Sequence, residues 1–549
     1  MKKVSALLLA LVLALTLALP VALAGAPDLS GQLVILYTND VHGGVLLDPD
    51  KPAMGYQMVA QYKKDAVATG ANVLLFDGGD FSQGQPIVNM SQGAQAVEFM
   101  NAAGYDACAI GNHEFDWGLD NLLQNREKAG FTFLAANILR AAGGDLIFDA
   151  NKIYEFDGMK IGVFGLSTPE TFTKANPALL GGATFLQGEE LYACAQAQID
   201  ELLAAGCNLI VCVGHMGIDE ESTGNRSLDV IANTIGIDLF LDAHSHSEVV
   251  EEVEQKLAEG AEKPDTTLLV SSGTATANVA EVVFDGESLR ACLIPASPSL
   301  VASQAGDADV AALVNSVNTA VDEQLSAVFA TTTVTLNGER KPGVRTEETN
   351  LGDFCADALL WAASKYAAEP AVCALTNGGG IRASIEAGDI TMKTMKTVFP
   401  FGNKVVTIKV TGAELLEALE AATFASPEAL GAFPQVAGIE FTLDTTVPYE
   451  NGEQYADSTY YAPAKPGARV TIATVGGEAF DPEKLYVLAT NDFTAVGGDT
   501  YIVFKYPAAQ TLVDTGVALE DALVEYTKEV LGGAIGEQYA APAGRITIK

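Results

Sequence analysis

The chain carries five histidines, and each sits in a short polar turn that follows an apolar run. Leu33-Val34-Ile35-Leu36-Tyr37 leads to Asp40 and His42, and Val73-Leu74-Leu75-Phe76 leads to Gly79-Asp80. Ala107-Cys108-Ala109-Ile110 leads to Gly111-Asn112-His113-Glu114. Leu209-Ile210-Val211-Cys212-Val213 leads to Gly214-His215, and Leu239-Phe240-Leu241 leads to His244-Ser245-His246. Imidazoles, carboxylates and one amide gathered in this way form a ligand set for two divalent metals. Two such ions roughly 3.5–4 Å apart clamp an attacking hydroxide and a phosphoryl oxygen together, so the chemistry indicated is hydrolysis of a phosphate ester.

No single motif carries this reading. Asp40 and His42 are two residues apart, so on an extended stretch they point the same way and can share one ion. The same pair is equally at home in a turn that caps a helix. Asp77-Gly78-Gly79-Asp80 is common loop chemistry, but a carboxylate has two oxygens and can bridge two ions. Asn112 offers a neutral oxygen, and His215, His244 and His246 complete the set. A lone histidine is more often structural than a ligand. Five in such turns, in this order, are hard to explain by structure alone. The donor mix suits zinc, manganese, iron or cobalt and does not choose among them.

The runs that lead into these turns read as strands. Between about Gln32 and Val283 they alternate with helical segments such as Gly93 to Ala103, Asn121 to Ala129 and Glu189 to Gly206. That alternation predicts a layered α/β domain. In open α/β sheets ligands gather beyond the carboxyl ends of strands, where these turns lie, so distant stretches of chain can converge there. Between about Ser299 and Phe329, Val310, Leu313, Val314, Val317, Val321, Leu325 and Val328 follow three- and four-residue spacing. The spacing predicts a connecting helix with one apolar stripe, capped by Asp307. A second α/β region follows to Lys549, with Gly/Asn-rich turns at Asn377 to Gly380 and at Gly497-Gly498.

With 549 residues, 49% hydrophobic and 18% charged, the chain has ample core for two large domains. Its net charge of −39 argues against nucleic acid and anionic membrane surfaces as partners, since both are polyanions. An anionic substrate then needs a local cationic patch, which metals and a few arginines can supply. Lys2 and Lys3, the unbroken apolar stretch after them and Ala22-Leu23-Ala24 read as a secretory signal. The stretch approaches the length of a membrane anchor, but the small residues and the Pro/Gly-containing segment after it favour cleavage. Export to a periplasm, cell envelope or medium is expected, with no stable membrane association afterwards. The seven cysteines are odd in number and form no CxxC metal knuckle.

Asp-x-His, Gly-Asp, Gly-Asn-His-Glu, Gly-His and His-x-His in this order resemble the calcineurin-like metallophosphoesterases. The longer string Gly111-Asn112-His113-Glu114-Phe115-Asp116 resembles their 5′-nucleotidase branch. The resemblance implies an α/β chain with a four-layer α/β/β/α metallophosphoesterase domain, joined by a linker helix to a second α/β substrate-binding domain. The boundaries expected are 1–24 for the signal, 25–306 for the first domain, 307–328 for the linker helix and 329–549 for the second domain. The resemblance also implies that Asp40, His42, Asp80 and His246 hold one metal, and that Asp80, Asn112, His215 and His244 hold the other. His113 is then left for catalysis, with Asp116 orienting it, because a carboxylate behind an imidazole fixes its tautomer and raises its basicity. Ala243 departs from the family, whose members usually have glycine before the last histidine pair.

In the second region Asn377-Gly378-Gly379-Gly380-Ile381-Arg382 resembles the family's phosphate- and nucleoside-contacting turn, which implies substrate roles for Asn377, Gly379 and Arg382. Arginine suits bidentate phosphate contact, and Arg345 falls in another segment that resembles a substrate contact. Glu347 stands where some relatives carry a further arginine, which leaves the number of phosphates gripped open. Phe399-Pro400-Phe401-Gly402-Asn403 and Asn491-Asp492-Phe493, with Gly497-Gly498-Asp499, resemble two base-clamping segments. Phe401 and Phe493 would stack on a base, and Asp499 would accept hydrogen bonds from ribose hydroxyls. In the family the second domain carries the substrate to the metals by rotation. The activity implied is release of phosphate from nucleotides by a monomer. The same residues would also serve a 2′,3′-cyclic nucleotide phosphodiesterase or a nucleoside diphosphate sugar hydrolase. A nucleotide-binding surface protein without turnover is the reading of another class.

Overall fold

The computed structural model describes residues 28–48, 53–141, 144–297, 306–367, 369–456, 458–505 and 512–549. The expected secretory signal lies outside them. One compact unit runs to Thr171 and resumes over Leu179–Thr319; the other takes Phe172–Ala178 and Ala320–Lys549.

The first unit is built on two six-stranded sheets. In chain order its strands are β1 (Leu33–Thr38), β2 (Asn72–Asp77), β3 (Ala107–Ala109), β4 (Thr132–Leu134), β5 (Asn151–Phe156), β6 (Met159–Ser167), β7 (Leu209–His215), β8 (Leu239–Leu241), β9 (Glu248–Glu254), β10 (Thr266–Ser272), β11 (Asn278–Phe284) and β12 (Leu289–Pro295). One sheet has the order β12-β11-β1-β2-β3-β4, the other β9-β10-β8-β7-β6-β5. β1 to β4 are parallel, and so are β6, β7, β8 and β10. All six residues of β1 are buried. A parallel strand covered on both faces has no polar side, which is why it reads as an unbroken apolar run.

Alternate side chains pack the sheets together. Leu33, Ile35 and Tyr37 of β1 and Leu74 and Phe76 of β2 share one buried cluster with Val211 and Val213 of β7 and Leu239 and Leu241 of β8. Helices α1 (Gly55–Ala68), α2 (Ala94–Ala103) and α3 (Leu119–Lys128) flank the first sheet. α4 (Glu189–Ala204) lays Leu191, Ala195, Ile199 and Leu202 on Phe164, Ile210, Cys212 and Phe240 of the second. The layering is α/β/β/α. The parallel strands of each sheet all deliver their carboxyl ends to loops at one rim.

The expected connecting helix is α5 (Ala308–Leu325). Asp307 Oδ1 accepts from the backbone N–H of Asp309 and Val310, both at 3.0 Å, so the cap is where the sequence placed it. Val310, Val314, Val321 and Leu325 are buried. The stripe stops there: Val328 is 53% exposed and opens a strand, Val328–Thr332. A valine three residues past Leu325 fits helical spacing and strand propensity equally well, so spacing alone extended the helix too far. The division between the two units falls within α5, after Thr319.

The second unit centres on a five-stranded sheet of β13 (Cys373–Asn377), β14 (Lys404–Thr411), β15 (Pro434–Ala437), β16 (Leu485–Asn491) and β17 (Val513–Ala518), in the order β15-β13-β16-β14-β17. One face, with Ala374 and Val405, packs on α6 (Asn350–Tyr366) and α8 (Leu519–Glu529). The other face, with Leu375, Val406 and Ile408, packs on α7 (Gly412–Ala421). Among the described residues no helix is long and apolar enough to cross a membrane. All seven cysteines carry free thiols.

Ile35 sits at the centre of the sandwich, fully buried, shortly before the first candidate ligands in the chain. Ile35→Ala should destabilise the protein by about 2–5 kcal/mol through lost burial and the cavity left behind. A lower urea midpoint at unchanged slope is the expected signature; a shift below about 1 kcal/mol would show that this layer does not hold the sheets together.

Candidate metal centre

The loops after β1, β2, β3, β7 and β8 bring the candidate donors together from both sheets. Three groups form: Asp40 with His42 and His246; His42 with Asp80 and His113; Asp80 with His215 and His244. Within each group one donor atom per residue lies within 4.8 Å of the others. Asp80 belongs to two of them. Its Oδ2 stands 3.2 Å from His215 Nε2 and 3.8 Å from His42 Nε2. His246 Nε2 is 3.3 Å from His42 Nε2 and 3.5 Å from Asp40 Oδ1. Asn112 Oδ1 is 3.3 Å from His215 Nε2. One detail differs from expectation: His215 is not in a turn but is the last residue of β7, and it is fully buried. The methyl of Ala243 is buried close to Gly78, and His244 and His246 both reach the donor groups.

The outward nitrogens of three imidazoles are committed to the protein. His42 Nδ1 lies 3.1 Å from Gln83 O, and His215 Nδ1 lies 2.8 Å from Gly78 O. A carbonyl only accepts, so these nitrogens carry protons and the Nε2 atoms point inward. His244 Nε2 lies 2.8 Å from the carboxylate of Glu170, which leaves Nδ1 to face Asp80 and His215. His42 Nε2 and His246 Nε2 then face each other across the cage, and His215 Nε2 faces Asn112 Oδ1 and Asp80 Oδ2. Inward-facing imidazole, amide and carboxylate atoms gathered this closely fit a pair of divalent cations, which bind as the ring nitrogens give up their protons.

The loops are strained by this convergence. Asp40 (φ 49°), His42 (46°), Asp80 (59°), His244 (79°) and His246 (55°) all adopt left-handed backbone, which non-glycine residues rarely do. Strain of this kind persists only where the surroundings over-determine it. Glu114 supplies much of that determination. Its buried carboxylate accepts from the backbone N–H of Asp80 (2.8 Å), Phe81 (3.0 Å), Ser82 (3.1 Å) and Gly111 (2.7 Å). One side chain thereby ties the β2 loop to the β3 loop. Gly111 must lack a side chain, because a Cβ there would collide with the Asp80 carboxylate. Asn39 bridges Asp40 Oδ2 (2.6 Å) and Gly273 O (2.7 Å), and Asp242 Oδ1 accepts from Met216 N and Gly217 N. Sequence reasoning assigned no role to Asn39, Glu114, Glu170 or Asp242. Glu114 stood inside a quoted motif, and Glu170 follows an apolar run of its own, but neither has a neighbour in sequence that signals its partner.

Charge balance follows the same logic. Burial pushes the Asp40 carboxyl up to about 6, against the opposing pull of His215. Burial works in the same direction on Asp80, yet His215, His113 and His42 hold it well below the usual carboxylate range. Burial alone would depress His215, but Asp80, then Asp40 and Glu114, raise it to about 10.

His113 stands beside this cage. Its backbone N–H donates to Asp80 Oδ1 (2.8 Å), and its ring is 5.3 Å from that of His42, edge to face. Nδ1 lies 2.7 Å from Asp116 Oδ2, one short helical turn along the chain.

In the second unit β13 and β16 are parallel neighbours, so Asn377 and Asn491 emerge at the same sheet end. Asn491 Nδ2 donates to Asn377 Oδ1 (3.1 Å), and Asn377 Nδ2 donates to Asp499 Oδ2 (2.9 Å). Gly379 N donates to Gly431 O (2.7 Å), and Leu430 N donates to Arg345 O (3.1 Å), so one loop carries both candidate contacts. The Arg382 guanidinium stacks 5.7 Å from the Phe401 ring centre. The ring of Phe493 lies against Gly498, where a Cβ would approach it to 2.5 Å. Asp499 thus joins Asn377, Arg382 joins Phe401, and Gly379 and Arg345 are both tied to the turn at Leu430 and Gly431.

Cation uptake must displace a proton from His215, so binding should weaken as pH falls below that group's value of about 10. Calorimetric titration with manganese in buffers of different ionisation enthalpy should show net proton release. Uptake with no released proton and no dependence on pH would contradict the charge balance drawn above.

Residues 33–248 match the calcineurin-like phosphoesterase family, and residues 328–506 match the 5′-nucleotidase C-terminal domain. The chain is 30% identical over 559 residues to the 5′-nucleotidase of Vibrio vulnificus (strain CMCP6), covering 95% of each chain. It is 30% identical over 523 residues to protein UshA of Escherichia coli (strain K12), covering 87% of this chain and 88% of that one. The crystal structure of a 5′-nucleotidase precursor from Thermus thermophilus superposes with a TM-score of 0.77 at 28% identity, covering 94% of this chain and 99% of that one. With both halves matched in order and the likeness running almost end to end, the chain belongs to the 5′-nucleotidase family of metal-dependent phosphoester hydrolases.

Proposed function

We propose that this protein is an exported 5′-nucleotidase that releases inorganic phosphate from nucleotides at a two-metal centre. The observation that supports this most is the His113–Asp116 pair standing beside a carboxylate, Asp80, common to two donor groups. Asp40, His42, Asp80 and His246 would hold one cation; Asp80, Asn112, His215 and His244 would hold the other. When bound, the cations offset charge on the phosphoryl oxygens and lower the pKa of water at the site.

The chain's own residues supply the rest. Asp116 keeps the proton on His113 Nδ1 and favours the imidazolium form, so Nε2 serves the substrate. There His113 stabilises the phosphoryl oxygens and delivers a proton to the leaving nucleoside oxygen. In the second unit Arg345 and Arg382 grip phosphate, with Asn377 and Gly379 lining the same turn. Phe401 and Phe493 stack on the base, and Asp499 accepts from ribose hydroxyls. The hydrogen bond from Asn377 already orients the Asp499 carboxylate.

The deciding experiment is a phosphate-release screen with AMP, ADP, ATP, UDP-glucose and cyclic nucleotides, each with manganese, cobalt, zinc or magnesium. Metal-dependent release from nucleotides is expected. Release from cyclic nucleotides or UDP-glucose alone would move the same site to another substrate, and no turnover on any would reject the reading.

His113→Ala should keep its metal content and lose about 10²–10⁴-fold in kcat. Wild-type turnover in that variant, with metal content verified by mass spectrometry, would remove His113 from the chemistry. Phe401→Ala should weaken nucleotide binding by about 1–3 kcal/mol, seen as a raised KM, and spare hydrolysis of p-nitrophenyl phosphate. Equal loss on both substrates would count against stacking.

A further inference from the structure

We infer that Glu170 is a positioning residue for His244 and strengthens one of the two cation sites in preference to the other. The inference rests on the two-metal reading above and deepens it.

β6 ends at Ser167 and is separated by β7 from β8, whose following loop carries His244. The end of β6 is held firmly. A buried amide, Asn137, donates to Ser167 O (2.7 Å) and accepts from Ser167 N (2.9 Å). Past it the turn closes on itself: Glu170 N donates to Thr168 Oγ1 (3.2 Å), and Thr171 Oγ1 donates to Thr168 O (2.7 Å). This delivers a carboxylate with 0% exposure to a point 2.8 Å from His244 Nε2.

A fully buried carboxylate is costly unless it is paired, so its place behind an imidazole calls for an explanation. Two other imidazoles among the candidate metal ligands, His42 and His215, rest on backbone carbonyls, which are dipoles. His244 alone of these three is backed by a full negative charge. A carboxylate there accepts from Nε2, fixes the tautomer with the proton on that nitrogen, and turns Nδ1 toward Asp80 and His215. The opposite end of the residue is also pinned: His244 N–H donates to Asp40 Oδ2 (3.0 Å) while its backbone is left-handed, at φ 79°. Backbone and ring tip are therefore held by two different carboxylates. Loss of the one at the ring tip leaves His244 tethered but its ring unaimed. The cation held by Asp80, His215 and His244 should feel that loss; the one held by Asp40, His42 and His246 should not.

The test uses the full chain with Glu170→Gln and Glu170→Ala, titrated calorimetrically with manganese and followed by visible absorption with cobalt. In Glu170→Ala one of the two binding events should weaken by about 10–100-fold and the other should hold. The cobalt spectrum should change with it, and raising manganese should restore phosphate release. Glu170→Gln keeps the shape and an accepting oxygen without the charge, so it should fall between Ala and wild type. Two unaltered binding events in both variants, beside a wild type that binds two cations, would overturn the assignment of Glu170 alone. Equal weakening of both events would overturn its selectivity. A wild type that binds no pair of cations would overturn the two-metal reading, and the role of Glu170 with it.

Discussion

The structure depends on keeping buried negative charge neutral. Asp40, Asp77, Asp80, Glu114, Glu170 and Asp242 are all nearly inaccessible, and all lie at a strand end or in the loops at one rim of the sandwich. Each has a way out. Glu114 spreads its charge over four backbone N–H groups, Glu170 faces an imidazole, and Asp77 accepts from Thr38 Oγ1 at 2.6 Å. Asp80 is different, because its carboxylate answers to several imidazoles at once. Nothing in a protein neutralises that arrangement as well as a multivalent cation. The net charge of −39 would repel an anionic substrate, and a cation pair at this rim would reverse the sign locally.

The sandwich makes the arrangement possible. Donors from β1, β2 and β3 come from one sheet and donors from β7 and β8 from the other, so the two sheets must stay in register for the groups to close. The buried layer that includes Ile35, Phe76, Val211 and Leu241 sets that register. Left-handed backbone at five candidate ligand residues is tolerated because rigid strands on one side and hydrogen bonds on the other leave the loops no relaxed alternative. Stability held in the layer is thus converted into strain at the rim, where short non-glycine turns aim side chains that extended backbone would point elsewhere.

The second unit solves a gentler problem with softer means. Its candidate residues meet through amide relays, a glycine turn and a guanidinium on a ring. The amide relays are buried and the guanidinium lies on a part-exposed ring, an arrangement that would suit recognition of a nucleoside more than the chemistry of phosphorus.

Much of this was legible in the chain itself. The apolar runs named the strands, the helical segments fell within two residues of their observed ends at Ala94–Ala103, Leu119–Lys128 and Glu189–Ala204, and Asp307 capped its helix. Donor types are local properties, so the seven metal-ligand candidates could be picked by type and order, while the His113–Asp116 pair came from the resemblance to the family. What the sequence could not say was which groups stand behind them. Glu114 and Glu170 take their roles from partners in other loops, His244 lying 74 residues from Glu170, and no spacing rule spans that gap. Val328 likewise kept helical spacing after the helix had ended. Periodicity and residue type are written along the chain; the neutralisation of buried charge is decided only when separate strands end at the same rim.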